Sequence, residues 1–354
     1  MENIGYTSSI YTYQEEQYPD WTGDIGVGLR ASAIAANRFI LQAEDLPSYS
    51  FYLENKNLRS WSNRFSSTVY SYVGPFNLKA GYAQDNLSQR PQLEFSRPYR
   101  YTSSEWSGAT DIGRSSRLFL TAYFTLTKLA YEEDSYLGSY NLAKTLNHRR
   151  NTFGLRLNQR IFTSTIIYLN YSMSDYVFES LSSRDTRTQT MGLGVEFPEI
   201  GILQGSFQIG YSRFSPKNPR FKPTDSLSGR GDIHITLMER LRLFGSYSLG
   251  TSFSYSAIDL FYSNNMFGGG VEVYLTRFLK GGASYQDGRM KYRSFLDLEL
   301  QRSDRIRSQR YYLAIPFFGN TSLGFSYNTY RLTSDALGLD YTRDYWGGFL
   351  SYGF

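Results

Sequence analysis

Cysteine is absent from this 354-residue chain, and histidine occurs only twice. Without thiols the chain can form no disulfide, no thiolate metal site and no covalent haem attachment. His148 and His234 come with no recognisable catalytic motif, and no group of His, Asp and Glu has the spacing of metal ligands. We therefore expect a protein that is not an enzyme and that uses no metal or cofactor.

A long apolar segment is also missing. The mean hydropathy is −0.43, and no run of about twenty apolar residues is present that could form a transmembrane helix. The first residues, MENIGYTSSIYTY, lack the basic region and apolar core of a signal peptide, so we expect a mature chain without its leader. No linker divides the sequence, which predicts a single domain over residues 1–354. The net charge of +5 is scattered along the chain and does not indicate nucleic-acid binding.

Aromatic residues are abundant, at 17% of the chain with 32 Tyr and 25 Phe. After residue 115 apolar and polar residues alternate in many short segments. Leu118, Leu120 and Ala122, for example, alternate with Phe119 and Thr121. A period of two places one set on each face of a strand, and membrane barrels use that alternation to separate lipid-facing from lumen-facing side chains.

The connections between these predicted strands alternate in length. Short links are predicted near 31–34, 74, 113–115, 161–163, 199–201, 240, 276–277 and 318–320. Long polar loops are predicted at 14–20, 52–58, 87–95, 134–146, 179–185, 215–226, 257–263, 297–305 and 334–338. Nine long loops imply nine hairpins. The pattern predicts a closed antiparallel transmembrane β-barrel of about eighteen strands, with sixteen possible because the alternation is weaker before residue 112.

The last residues, GLDYTRDYWGGFLSYGF, end on an aromatic side chain. Leu350, Tyr352 and Phe354 share one parity of this strand. The pattern resembles the C-terminal β-signal of Gram-negative outer-membrane barrels, in which a terminal Phe is read during assembly. The resemblance implies an integral outer-membrane location. It also implies two partners, the barrel assembly machinery and outer-membrane lipid.

The polar parity of the strands is predicted to line a lumen, because charges are costly against lipid. The purely structural interpretation is that the lumen charges form ion pairs across neighbouring strands and bind no substrate. The alternative is a track of Arg and Tyr for an anionic or sugar-bearing substrate, since Arg pairs with acidic groups and Tyr rings stack on sugars. The candidate track residues are Arg156, Arg230, Arg310, Arg343, Lys280, Tyr123, Tyr168, Tyr274 and Tyr312.

One stretch, over roughly 150–215, carries a more specific likeness. It contains the element Ser174, Asp175, Tyr176 and later the strand GSFQIGY. These segments resemble the putative β-barrel porin-2 type proteins that accompany exopolysaccharide operons. The resemblance implies a channel for exopolysaccharide secretion, with a polysaccharide substrate and a periplasmic export protein as partner.

Two other functions remain open at this stage. A general or anion-preferring diffusion porin would have the same strands, and a long loop folded inward, at 134–146 or 215–226, would favour it. A barrel sheath around a multihaem cytochrome would also lack cysteine.

Overall fold

The structure is a computed structural model and consists almost entirely of β-strands. It describes residues 2–7, 20–36, 38–89, 98–114, 116–137, 140–162, 164–238, 240–254, 259–276, 278–294, 302–317, 321–336 and 340–352. Within these residues, no helix has both the length and the apolar character needed to cross a bilayer.

The strands follow one another along the chain with few helical residues between them. Their bounds are β1 (Glu2–Thr7), β2 (Asp20–Gly26), β3 (Leu29–Ala35), β4 (Phe39–Asp45), β5 (Ser48–Tyr52), β6 (Ser60–Val73), β7 (Phe76–Gln89), β8 (Tyr99–Ile112), β9 (Leu118–Tyr131), β10 (Tyr136–Leu137), β11 (Tyr140–Asn141), β12 (His148–Ile161), β13 (Thr165–Phe178), β14 (Thr186–Ile200), β15 (Leu203–Pro216), β16 (Thr224–Leu237), β17 (Leu241–Phe253), β18 (Asp259–Thr276), β19 (Leu279–Ser294), β20 (Ser303–Phe317), β21 (Thr321–Ser334) and β22 (Tyr341–Tyr352). The helix α1 (Leu142–Leu146) and two short 3₁₀ turns, Lys56–Leu58 and Ser182–Arg184, complete the fold.

The described strands pair antiparallel, and the pairings return to their starting point. From β1 they run through β2, β5, β6, β7, β8, β9 and then β12 to β22 in order. Strand β22 pairs with β1, with Glu2 opposite Leu350 and Thr7 opposite Tyr345. Each strand on this path therefore has a paired neighbour on both sides.

The main sheet has twenty described strands rather than the predicted eighteen. The excess arises because two segments, 20–35 and 39–52, are each interrupted once. Pro47 lies at one interruption, where it cannot donate a ladder hydrogen bond, and its carbonyl instead accepts from the backbone N–H of Val27 at 3.1 Å. The pairing path through β1, β2, β5 to β9 and β12 to β22 contains eighteen of the strands. The other two lie beside it, since β3 pairs with β4 and β4 pairs with β6.

The alternation of short and long connections is as predicted, with corrections to individual boundaries. The first short link, predicted near 31–34, is wrong, because β3 continues through Ala35 and the turn follows it. The small residues of this strand, LRASAIA, gave too weak an alternation to place its end. The loop predicted at 215–226 is shorter, since β15 continues to Pro216 and β16 begins at Thr224.

The short turns share a backbone signature. Positive φ angles occur at Gly74, Gly113 and Gly201, and at the non-glycine residues Ala36 (50°), Phe162 (54°) and Met238 (52°). All six positions follow directly after a strand at the short-turn end of the sheet. Left-handed backbone of this kind reverses the chain within a few residues.

The two faces of the sheet differ in chemistry. The face that carries exposed apolar side chains, called the outer face here, includes Phe124, Phe153, Leu193, Ile209 and Leu313. The opposite parity, called the inner face, carries most of the polar and charged residues. At the C-terminal strand Leu350 lies on the outer face and Tyr352 ends β22. Phe354 lies outside the described residues, and its role as an assembly signal stays a prediction.

At the long-loop end, the described residues of the connection between β9 and β12, 132–137 and 140–147, pack against the inner face. This connection contains β10, β11 and α1, and Asn141 caps the helix by accepting from the Lys144 N–H at 2.9 Å. Leu142 and Leu146 of this segment are fully buried against Tyr99 and Tyr131, which belong to β8 and β9. One of the two loops considered in the sequence thus folds inward.

Candidate functional site on the inner face

The candidate site is a pocket on the inner face with a volume of about 420 Å³. It lies in the half of β18, β19 and β20 that is nearer to the short turns. Four of the nine candidate track residues line it, namely Tyr274, Lys280, Arg310 and Tyr312. Strand register brings them together, because Tyr274 is opposite Lys280 and both face inward beside Tyr312.

A carboxylate organises one wall of this pocket. Tyr312 Oη donates a hydrogen bond of 2.5 Å to Glu272 Oε1, and Lys280 Nζ lies 3.2 Å from Glu272 Oε2. The same ammonium lies 5.4 Å from the ring centroid of Tyr274 and 5.7 Å from that of Tyr312. The charge of Lys280 is therefore largely balanced by Glu272, and the residue holds the wall together.

Arg310 differs from Lys280 although it lines the same pocket. Its side chain is exposed, and its guanidinium lies 5.8 Å from the Tyr312 ring centroid. Among the described residues Arg310 forms no ion pair. Its positive charge is thus available to an anion that enters the pocket.

A second polar cluster lies on the inner face of β12, β13 and β14. Arg156 donates to Asn158 Oδ1 at 2.6 Å and to Glu196 Oε1 at 2.7 Å. Its guanidinium also stacks at 3.6 Å from the ring centroid of Tyr168. Arg156 is therefore fully engaged by its neighbours, and the structure favours the interpretation of cross-strand pairing for this residue.

Three inward-facing tyrosines each lie flat over a glycine of the next strand. Tyr123 lies over Gly154 and its hydroxyl donates to Asn170. Tyr168 lies over Gly194 and donates to Gln208, and Tyr312 lies over Gly282 and donates to Glu272. A Cβ atom on any of these glycines would approach the ring within 2.1–2.3 Å. The absence of a side chain on the middle strand lets each ring reach the strand beyond it. These tyrosines therefore join three strands of the sheet.

The remaining candidates lie elsewhere on the inner face. Arg230 is exposed, sits opposite Gln208 in the register, and forms no ion pair within the part of the chain that the structure describes. Arg343 is half-buried and opposite Tyr330. The structure thus brings together four candidates in the pocket and two, Arg156 and Tyr168, in the second cluster.

Neither histidine belongs to a catalytic arrangement in the described residues. His148 Nδ1 lies 2.7 Å from the Leu146 carbonyl oxygen, and His234 Nδ1 lies 3.2 Å from an Arg242 nitrogen. In the described ranges no three His, Asp or Glu side chains converge in a way that could hold a metal ion.

Sequence reasoning missed the acceptors that organise these clusters. The sequence pattern did not predict that Glu196 would pair with Arg156 or that Glu272 would pair with Lys280. The sequence pattern also did not predict the contacts between the strand glycines and the tyrosine rings. Alternating glycines in strands such as MGLGVEF hinted at this packing. The tyrosine that lies over each glycine can be assigned only once the register between the strands is known.

Comparison with known proteins bears on the fold. No family model matches the sequence, and no curated protein matches it. The structure of OccK2 (OpdF) of Pseudomonas aeruginosa in complex with glucuronate matches with a TM-score of 0.54 at 12% identity, over 99% of this chain and 95% of that one. OccK9 (OpdG) of the same organism matches with a TM-score of 0.53 at 11% identity, over 99% and 96% of the two chains.

A larger protein is also similar. The FrpB iron transporter of Neisseria meningitidis matches with a TM-score of 0.50 at 10% identity. The alignment covers 94% of this chain and 62% of the transporter, so the chain spans less than two thirds of that protein's length. These neighbours are porins and transporters of the outer membrane, not enzymes, and the all-β fold is consistent with the same location. The chain has the fold of bacterial outer-membrane β-barrel proteins.

Proposed function

We propose that the chain forms a closed barrel in the bacterial outer membrane and works as an anion-preferring diffusion channel for small solutes. The unbroken cycle of strand pairings and the apolar outer face support a closed barrel in lipid. The alternation of connections supports long loops outside the cell and short turns in the periplasm. The inner face is then the wall of the channel.

The observation that carries this proposal is that several inward-facing basic side chains, Arg230 and Arg310 among them, form no ion pair within the described residues. Arg310 lines the pocket and Arg230 lies on the wall beside the Arg156 cluster. Other basic side chains of the wall, such as Arg156 and Lys280, are neutralised by a carboxylate. Free guanidinium groups at separate places along the wall attract anions without holding any one of them tightly, which suits diffusion.

The inward packing of residues 132–137 and 140–147 supports small solutes as the cargo, because the loop narrows the long-loop end. Export of exopolysaccharide gains no support from the structural neighbours, and neither does a cytochrome sheath. The glucuronate bound to OccK2 belongs to that protein. It motivates small carboxylates as the first solutes to test here.

Ion selectivity in planar bilayers tests the proposal. With a KCl gradient across the membrane, the reversal potential of the wild type should show a preference for chloride. Substituting Arg230→Gln and Arg310→Gln together should move the permeability ratio measurably toward unity, because it removes two unpaired charges from the wall. The double variant Arg289→Gln/Lys291→Gln, on the outer face, is the charge-matched control and should keep the wild-type ratio.

Two results would contradict the proposal. One is a folded barrel that gives no conductance. The other is a chloride preference that is absent in the wild type or unchanged in the Arg230/Arg310 variant. Loss of surface polysaccharide on deletion of the gene, with solute uptake intact, would support export instead.

A further inference from the structure

The outer face of β19, β20 and β21 carries a basic patch near the long-loop ends of these strands. Its members, called the basic patch here, are Arg289, Lys291, Arg305, Arg307 and Arg331, and all five side chains are exposed. They belong to the lipid-facing parity, since the same strands continue toward the short turns with the exposed residues Leu313 and Phe325. Five cations on the lipid-facing side of the strands are unfavourable unless anionic groups lie beside them.

Register places the patch at a defined level. Asp287, Arg307 and Arg331 form one row across the three strands, with Arg289 opposite Arg305 in the next row. A row of aromatic residues lies two rows nearer to the short turns than Asp287. In that row Tyr311 is opposite Tyr327, and Tyr327 is opposite Trp346 on β22. Aromatic residues of membrane barrels lie at the headgroup level, so the patch lies at or just above the headgroups on the long-loop side.

One buried carboxylate orients part of the patch. Arg305 donates to Asp287 through Nε at 3.0 Å and through Nη2 at 2.5 Å, and Arg307 Nε lies 3.9 Å away. Tyr285 Oη also donates to Asp287 at 3.1 Å. Asp287 is 6% exposed. It therefore balances one of the five charges and holds the two guanidinium groups in place.

A groove runs beside this patch on the outer face, with a volume of about 500 Å³. Its lining combines the apolar side chains of Leu249 and Phe267 with Arg289, Lys291 and Arg305. Within the described residues Arg289 and Lys291 form no ion pair. An apolar floor bordered by free cations matches an amphiphile that has acyl chains and a phosphorylated head.

The outer faces of β9, β14 and β15 lack such an excess at this level. On β14 and β15, Arg187 lies 2.9 Å from Asp175, and Arg213 lies 3.9 Å from Asp225. On β9, Lys128 lies 3.0 Å from Glu179. There the exposed cations each have an acidic partner, whereas the basic patch has one acid for five bases.

We propose that the basic patch and its groove bind the phosphate groups of a phosphorylated glycolipid in the outer leaflet, of the lipid A type. The proposal rests on the outer-membrane location and orientation but not on channel activity. Arg289 and Lys291 contact the phosphate, Arg305 and Arg307 are held ready by Asp287, and Leu249 and Phe267 meet the acyl chains. The site fixes one lipid at one side of the barrel.

Native mass spectrometry of the purified full chain in detergent, with added lipid A, tests this. The wild type should retain one bis-phosphorylated lipid A and should bind the dephosphorylated lipid much more weakly. The double variant Arg289→Gln/Lys291→Gln should lose affinity by about thirtyfold, from roughly 1 kcal/mol for each basic residue near a charged lipid surface. These two side chains have no ion pair to lose, so the barrel should fold as before, which heat-modified migration on a gel can verify.

The matched control removes two cations from the same level elsewhere, Arg187→Gln and Arg213→Gln, and should keep wild-type affinity. Equal weakening in the control would overturn the proposal in favour of general charge attraction. Equal binding of phosphorylated and dephosphorylated lipid, or displacement by inorganic phosphate at tens of millimolar, would also overturn it. Bilayer conductance of the same samples tests the channel proposal independently. Loss of lipid binding with normal conductance would overturn only the lipid site, and absent conductance would overturn only the channel proposal.

Discussion

The two ends of the inner face are built from the same strands but with opposite chemistry. Near the short turns the wall is polar, with Arg156, Glu272 and Lys280 in charged clusters. Near the long loops it is apolar and aromatic. Strand β13 shows the change along a single strand, since its inward-facing residues run from Asn170 and Ser172 in its middle to Tyr176 and the buried Phe178 at its long-loop end.

Three apolar clusters occupy the long-loop end of the described inner face. The first joins Leu142 and Leu146 to β8 and β9. The second and third are Tyr262, Met290, Tyr292, Ile306 and Leu332, and Phe178, Phe214 and Phe253. The first cluster teaches that a long connection can bury apolar residues of the inner face. Long loops can cover such side chains and remove them from water, whereas short turns cannot reach over the wall.

The largest expected effect comes from loosening the loop that packs inward. Replacing Leu142 and Leu146 with Ala should free residues 132–137 and 140–147 from the wall, because each buried leucine contributes about 2–5 kcal/mol to packing. We expect conductance to rise and trypsin to cleave the folded protein after Lys144. The substitution Leu181→Ala, in a loop where that side chain is exposed, is the control. Unchanged conductance and protease resistance would show that the loop does not narrow the channel.

A smaller effect is expected from filling the space under a wall tyrosine in the polar half. Gly194→Ala places a Cβ about 2.2 Å from Cζ of Tyr168. We expect it to lower the free energy of unfolding by about 1–3 kcal/mol. Urea titration followed by gel migration measures this. Adding Tyr168→Ala should restore part of the loss, and Gly229→Ala, whose Cβ would lie 3.4 Å from the nearest atom, should have little effect. No difference between the two glycine variants would sink the packing argument.

The smallest effect concerns the short turns themselves. Met238 and Phe162 hold positive φ angles without being glycine. Met238→Gly or Phe162→Gly should therefore raise stability by about 1 kcal/mol or less, since relief of left-handed strain exceeds the entropy cost of glycine. Phe278→Gly is the control, at an exposed turn residue without positive φ, and it should be neutral or destabilising. Urea midpoints that fall for all three variants would contradict the strain argument.

Sequence alone determined the all-β antiparallel fold and the order of its hairpins. Alternation with a period of two depends on each residue and its nearest neighbours, so it can be read without knowing what lies opposite. This worked for β9 and β12 to β16, where large apolar residues mark the outer face. It failed at β3, where the small residues of LRASAIA carry little contrast, and at the interruption near Pro47.

Only the tertiary structure decided which inner-face charges are free. Arg156 and Arg310 look alike in the sequence, yet Glu196 neutralises Arg156 and the described residues offer Arg310 no ion pair. The tertiary structure alone also brings Tyr168 over Gly194 and gathers the basic patch around Asp287. These arrangements depend on the register between strands that lie tens of residues apart. A shift of one residue in register would turn every side chain to the opposite face, so the sequence pattern within a strand carries no information about its partner.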